Sequence, residues 1–273
     1  MADQAPGGFM LSPPASSTVS SNAHPTLPHP RDAPLKPGGS KEGAFIRYVD
    51  QQILQIYRRF ARRTSPESAH LSNEDREKAD SGGDVKGYGS MKEACKDIEQ
   101  LIDVIWVSGT PGLQVPFLIS LALLLGNVVQ AMPPTPKALF RLIEKLDHAF
   151  ASLLQGKDVD SGERLPGFVG SRGLSGTEKV RIRSLVDRTR INVVEAFKKG
   201  EFEHGEAEAE PTDDEKMDTD TDMDGGLVVE GDADAEDDAT LDMSIARVYD
   251  RTIQELGESL EEPSLGIITE GRR

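Results

Sequence analysis

The stretch VPFLISLALLLGNVVQAM at residues 115–132 constrains the fold most, because it is apolar nearly all round and is interrupted only by Ser120, Asn127 and Gln130. A helix apolar on every side has to be buried, in a protein core or in a membrane. Its longest run without a strongly polar residue, 115–126, is shorter than the roughly 18 to 20 residues a hydrocarbon core requires, and Pro133-Pro134 closes it. The stretch therefore reads as the central helix of a bundle, with no membrane partner.

The neighbouring segments carry the 3.6-residue period that such a helix needs for cover. Phe45, Val49, Ile53, Ile56 and Phe60 recur at helical steps after Ser40, which predicts a helix with Ser40 as N-cap and Glu42 in its first turn. A second helix is predicted from Ser90, with Glu93 at the capping-box position and an apolar face of Met91, Ala94, Ile98, Leu101, Ile102 and Ile105. Ser108-Gly109-Thr110-Pro111-Gly112 reads as its stop. After the central helix, Thr135 and Pro136 predict a fourth helix over 137–155 with Leu139, Leu142, Ile143, Leu146, Phe150, Leu153 and Leu154 on one side, ended by Gly156. A Gly-rich connector at 157–174 offers Leu165, Phe168 and Leu174 as pins. Ser175 and Glu178 then open a fifth helix whose core face is Ile182, Leu185, Val186, Val193, Val194 and Phe197.

The ends differ from this body. Residues 1–40 are rich in Ser, Pro, Ala and Gly and read as disordered, with Ser12-Pro13 a candidate site for a proline-directed kinase. The long polar loop 64–89 follows the first helix. Residues 201–240 hold 18 Asp or Glu against one Lys, so that segment alone carries more than the whole net charge of −16 and the rest of the chain is close to neutral; the segment also reads as disordered. Residues 241–273 contain one more amphipathic helix, built on Leu241, Ile245, Val248, Tyr249, Ile253, Leu256 and Leu260 with Thr240 as its cap. The expectation is thus all-α: a bundle of about five helices at 41–200, a disordered N-terminus, an acidic segment and a C-terminal helix with its tail.

Chemistry is sparse. The single cysteine, Cys95, allows no intramolecular disulfide, and no CxxC pair is present for zinc. The N-terminus has neither a secretory h-region nor the arginines of a mitochondrial leader, which predicts a nuclear or cytoplasmic protein. No GxxxxGK[ST] loop follows a strand. Asp220, Asp222, Asp224 and Gly225 imitate half a calcium loop, but the required bidentate Glu falls on Gly231. Cys95 on a helix reads as a small hydrophobe. His148 has no second histidine at a ligand spacing, and His24, His29, His70 and His204 lie outside the predicted helices. No catalytic residue, metal site, cofactor or small-molecule substrate is expected, and the chain reads as no enzyme.

The best functional lead is cationic. Arg58, Arg59, Arg62 and Arg63 close the first helix, where they suit the negative end of its dipole and could also fork onto phosphate. Lys179, Arg181, Arg183, Arg188 and Arg190 crowd the fifth helix, with Arg181 and Arg188, and Arg183 and Arg190, each seven apart on one side. Such stripes track phosphates or remain a solvated face in local ion pairs.

Four passages, LPHPRDAPLKPGGSK at 27–41, WVSGTPGLQVPF at 106–117, PPTPKALFRLIEKLDHAFASLLQ at 133–155 and GLSGTEKVRIRSLVDRTR at 173–190, resemble an uncharacterised family of filamentous-fungal proteins over roughly 27–200. Some members are labelled as a meiotic recombination protein, the strand-exchange class. That resemblance implies no catalytic motif, and the missing P-loop argues against recombinase activity. The expected function is a non-catalytic adaptor or scaffold that binds protein partners through helix surfaces and tails. The alternative is an accessory nucleic-acid-binding protein, in support of recombination, whose basic fifth helix is masked by the acidic segment.

Overall fold

A computed structural model of the chain describes residues 26–65, 85–168, 173–200, 202 and 233–261. Among them are seven α-helices: α1 (Ser40–Thr64), α2 (Met91–Val107), α3 (Pro111–Ala131), α4 (Pro136–Gln155), α5 (Gly176–Lys198), α6 (Ala233–Ala246) and α7 (Asp250–Glu261). The one β-type contact described is an isolated antiparallel bridge between Lys157 and Arg164. The all-α bundle is what the periodicity predicts.

α3 sits at the centre because it has no charged residue to keep in water, and α1, α2, α4 and α5 all pack on it. Val115, Leu118, Leu121, Leu124, Leu125, Val128 and Val129 are at most 1% exposed. By length and composition α3 could cross a membrane; here just over half of its most apolar window, 56%, is buried inside the protein. α2 packs on α3 and α4, α1 lies across α2 and α3, and α7 packs on α4 and α5.

Several helix ends differ from expectation. Ser40 is the first residue of α1 and Gly39 takes the N-cap position. Gly39 is sterically required there, since a Cβ would come within 2.9 Å of the Lys36 carbonyl oxygen, while Glu42 reaches back to accept from Gly38 N at 2.6 Å. The expected stop at 108–112 is divided. It ends α2, and its Pro111 already opens α3, since a proline at the first helical position lacks only an N–H that would have no partner. Pro116 lies inside α3 on its exposed side, where water can serve the carbonyl left without a partner. Ser175 and Glu178 complete a capping box, whereas Glu93 accepts from Gly89 N instead of Ser90 N, so the box on α2 is half formed. Thr135 caps α4 by position, with no side-chain hydrogen bond to the first turn.

Two stretches read as disordered are ordered in part. Residues 26–39 run along the bundle: Arg31 N donates to the Val107 carbonyl at 3.2 Å, Leu35 N donates to Thr110 Oγ1 at 2.8 Å, and Leu35 is buried. One leucine and two backbone bonds to a helix end offset the entropy that composition alone weighs. Residues 233–240 form the start of α6. The other parts of those two segments, the calcium-like loop, Ser12, His24, His70 and His204 lie outside the described residues.

The single helix expected over 241–260 is two. It breaks at 247–249, where Tyr249 adopts φ 56°, a left-handed conformation unusual for an aromatic residue. The connector behaves as its composition suggests: Leu165, Phe168 and Leu174 are buried, and the Phe168 ring closes over Gly156, which ends α4 with φ 69°.

Candidate functional site

The nine cations singled out in the sequence have different surroundings. Arg59 is engaged within the bundle. Its Nη1 lies 2.6 Å from Asp97 Oδ2, its Nη2 2.8 Å from Glu93 Oε2, and its Nε donates to the Lys86 carbonyl at 3.3 Å. The guanidinium also covers the Tyr88 ring at 4.1 Å, and the Tyr88 hydroxyl donates to Asp97 Oδ2 at 2.9 Å. Burial, then the charge of Asp97, pushes the Tyr88 phenol well above its ordinary value. Arg59 thus joins α1 to α2 and fixes the residues that lead into α2. Arg59→Ala is expected to lower unfolding stability by about 1.5–3 kcal/mol, the range for hydrogen bonds to charged groups. Arg59→Lys should recover only part of it, because an ammonium cannot serve both carboxylates as a planar fork and stack on the ring; urea denaturation of the three proteins measures this.

Arg62 and Arg63 also have interaction partners, and Arg58 is exposed. On α5, Arg183 pairs with Asp187 at 3.2 Å, Lys179 and Arg190 are half-buried, and Arg181 and Arg188 are exposed. α1 packs on α2 and α3, and α5 packs on α3, α6 and α7, so the two cation sets stand on helices that make no substantial contact.

The charged groups most firmly positioned were not singled out in the sequence. Lys145 on α4 is almost fully buried, 2.7 Å from Asp103 Oδ1 and 3.2 Å from Glu99 Oε1 on α2, with Arg141 3.3 Å from Glu99. Asp147 lies on the opposite flank of α4. Its carboxylate accepts from Arg251 N at 3.2 Å, Thr252 N at 2.8 Å and Thr252 Oγ1 at 2.6 Å. The first-turn N–H groups of a helix have no partner of their own, so α4 supplies the cap of α7. Tyr249 is fully buried beside it, its ring 6.3 Å from that of Phe150, and burial followed by the Asp147 charge raises its phenol. Its hydroxyl has no hydrogen-bond partner among the described residues.

His148 is held between Asp158 at 2.9 Å and Asp160 at 3.3 Å, and Asp160 also takes Arg251 at 3.0 Å. Burial works against ionisation of Asp158, but the bonds from Ser161 and His148 outweigh it and hold its carboxyl below the ordinary value. One sequence signal could have found this flank: Ala151, one turn beyond Asp147, leaves α4 small there, so a further helix can approach closely. Among the described residues no group of three His, Cys, Asp or Glu could hold a metal. A cleft of about 850 Å³ between 27–32 and 158–168 has Trp106 in its wall; its charged groups, His29, Arg31, Asp32, Asp158, Glu163 and Arg164, are of both signs.

From the loop before α2 into α7, the sequence matches a known family. The family model for TFB6, subunit 11 of the general transcription factor TFIIH, matches residues 87–257. The chain belongs to the TFB6 family. A Saccharomyces cerevisiae protein described as General transcription and DNA repair factor IIH subunit TFB6 is 26% identical over 217 residues, covering 63% of this chain and 57% of the yeast protein. The chain thus spans little more than half the length of that relative. No solved structure matches. The TFB6 match takes in Lys145, Asp147, the α5 cations and the α7 clamp; α1 with its four arginines precedes it. Neither match carries the recombination label.

Proposed function

We propose that the chain is a non-catalytic adaptor subunit of a TFIIH-type assembly and acts in the nucleus. The observation that carries this reading is the TFB6 match over 87–257, which takes in α2 to α6 and the first two turns of α7. In support, the buried charges Lys145 and Asp147 join helices to one another, Lys145 linking α4 to α2 and Asp147 linking α4 to α7. The bundle holds its outer helix faces in fixed relation, which is what an adaptor requires.

The test is purification of the tagged chain from nuclei of its own organism, with the co-purifying proteins identified by mass spectrometry. TFIIH subunits in near-stoichiometric amounts are expected; an intact chain recovered without them would overturn the reading.

A second reading, accessory nucleic-acid binding, is favoured by the exposed Arg181 and Arg188. It requires duplex or single-stranded DNA binding whose affinity falls steeply with salt. Fluorescence anisotropy across a salt series decides it.

A further inference from the structure

α5 presents an incomplete charge balance. Arg181 and Arg188 stand seven residues apart on one side, both exposed and neither in an ion pair among the described residues, whereas Arg183 is matched by Asp187. Val180 and Ile191, 60% and 58% exposed, lie on the adjoining strip of the same helix. Asn192, one turn beyond Arg188, donates to the Gly126 carbonyl at 3.3 Å and accepts from Gln130 at 2.8 Å. Those bonds set the arginine side of α5 alongside α3, which has no charged residue and exposes Leu123 by 43%. Glu195 is the carboxylate on this side, and Lys198 and Lys199 follow one turn later. The face combines cations with uncovered apolar groups, and α3 offers no anion to either arginine.

The complement lies in the chain's own next segment. Residues 203–232 hold 13 Asp or Glu and one Lys, with Leu227-Val228-Val229 among them. This segment departs at Phe202, whose ring lies 5.5 Å from that of Phe197 at the end of α5, and it returns at α6, which packs on α5. Both of its ends are therefore tethered to the helix that bears the cations. At about 1.5 Å per residue, Arg181 lies roughly 27 Å along the axis from Lys199. A chain of thirty residues spans up to about 100 Å, enough to reach Arg181 and come back. Tethering gives such a segment an effective concentration of order millimolar.

We propose that the Arg181–Arg188 face of α5 is a docking surface for the chain's own acidic segment 203–232. The carboxylates pair with the two arginines, and Leu227, Val228 and Val229 cover the strip around Val180 and Ile191. Any external polyanion or acidic partner then has to displace this segment to reach α5. The proposal holds whether or not the chain works within TFIIH.

The test uses the full chain with p-benzoylphenylalanine in place of Ile191, and in place of the exposed Tyr48 on α1 as control, irradiated at low salt and mapped by mass spectrometry. Adducts from position 191 to peptides of 203–232 are expected. Their yield should exceed that from position 48 at least fivefold, and should fall at least fivefold in 1 M NaCl and in the double variant Arg181→Gln, Arg188→Gln. Both arginines are exposed, and unchanged circular dichroism confirms that the variant is folded. Equal yields from the two positions, adducts indifferent to salt or to the double variant, or adducts to a second, isotope-labelled copy or to nucleic acid would each overturn the proposal.

Discussion

Replacement of Asp147 by alanine should cost about 2–4 kcal/mol and release α7 from the bundle. The carboxylate accepts from two backbone N–H groups and one hydroxyl of α7, at a buried position. Truncation leaves those donors without a partner, at roughly 1–3 kcal/mol for each that water cannot reach. Asp147→Asn keeps one carbonyl oxygen for Thr252 N and should retain part of the stability. Hydrogen exchange at 250–257 locates the loss, and urea denaturation sizes it. A variant in which α7 stays protected would show that its apolar packing alone holds it.

Acidity should not imitate this substitution. Burial pushes the Asp147 carboxyl above its ordinary value, further than the hydrogen bonds from Thr252 and Arg251 draw it down. A group whose folded pKa is raised adds stability that is fully present below its unfolded value and is lost as pH rises through the folded one. The carboxyl's own titration therefore favours the folded form on the acid side, and the protonated group still offers an oxygen to Thr252 N. Between pH 7 and about pH 5, exchange at α7 is expected to stay slow, whereas Asp147→Ala is unprotected at both.

Leu121→Ala should destabilise the whole bundle by about 2–5 kcal/mol, the range for emptying a buried leucine site. Leu121 is fully buried midway along α3, and the helices around it are fixed by one another, which limits collapse into the cavity. Single-transition thermal unfolding with a lowered Tm and an unchanged helical spectrum is the expected result. Leu123→Ala, two residues away on the exposed side of the same helix, should change stability by about 0.5 kcal/mol or less. Equal losses at the two positions would mean that α3 is not the centre of the core.

The contrast between those two leucines marks the limit of what the sequence reveals. An all-round apolar helix declares that it is buried, and the 3.6-residue period of its neighbours declares which of their faces cover it. The core faces of α2, α4 and α5 follow from that, because hydrophobic burial depends on residue type and spacing alone. α3 itself has almost no periodic signal, so the exposure of Leu123 against the burial of Leu121 had to await its partners. The Arg59 fork was equally hidden: four arginines at a helix end look alike until Glu93, Asp97 and Tyr88 arrive from another element.

What the sequence by itself determined is the helical class, the central position of α3, the capping box at Ser175 and the concentration of net negative charge in one segment. Each of these depends on neighbours within a few turns of the chain. Only the tertiary structure decided that Lys145 and Asp147 are buried on opposite flanks of α4, that the last amphipathic stretch breaks at Tyr249, and that α7 takes its cap from a residue about a hundred positions earlier. A charged side chain is buried only where a distant partner satisfies it, and nothing local in a sequence announces that partner.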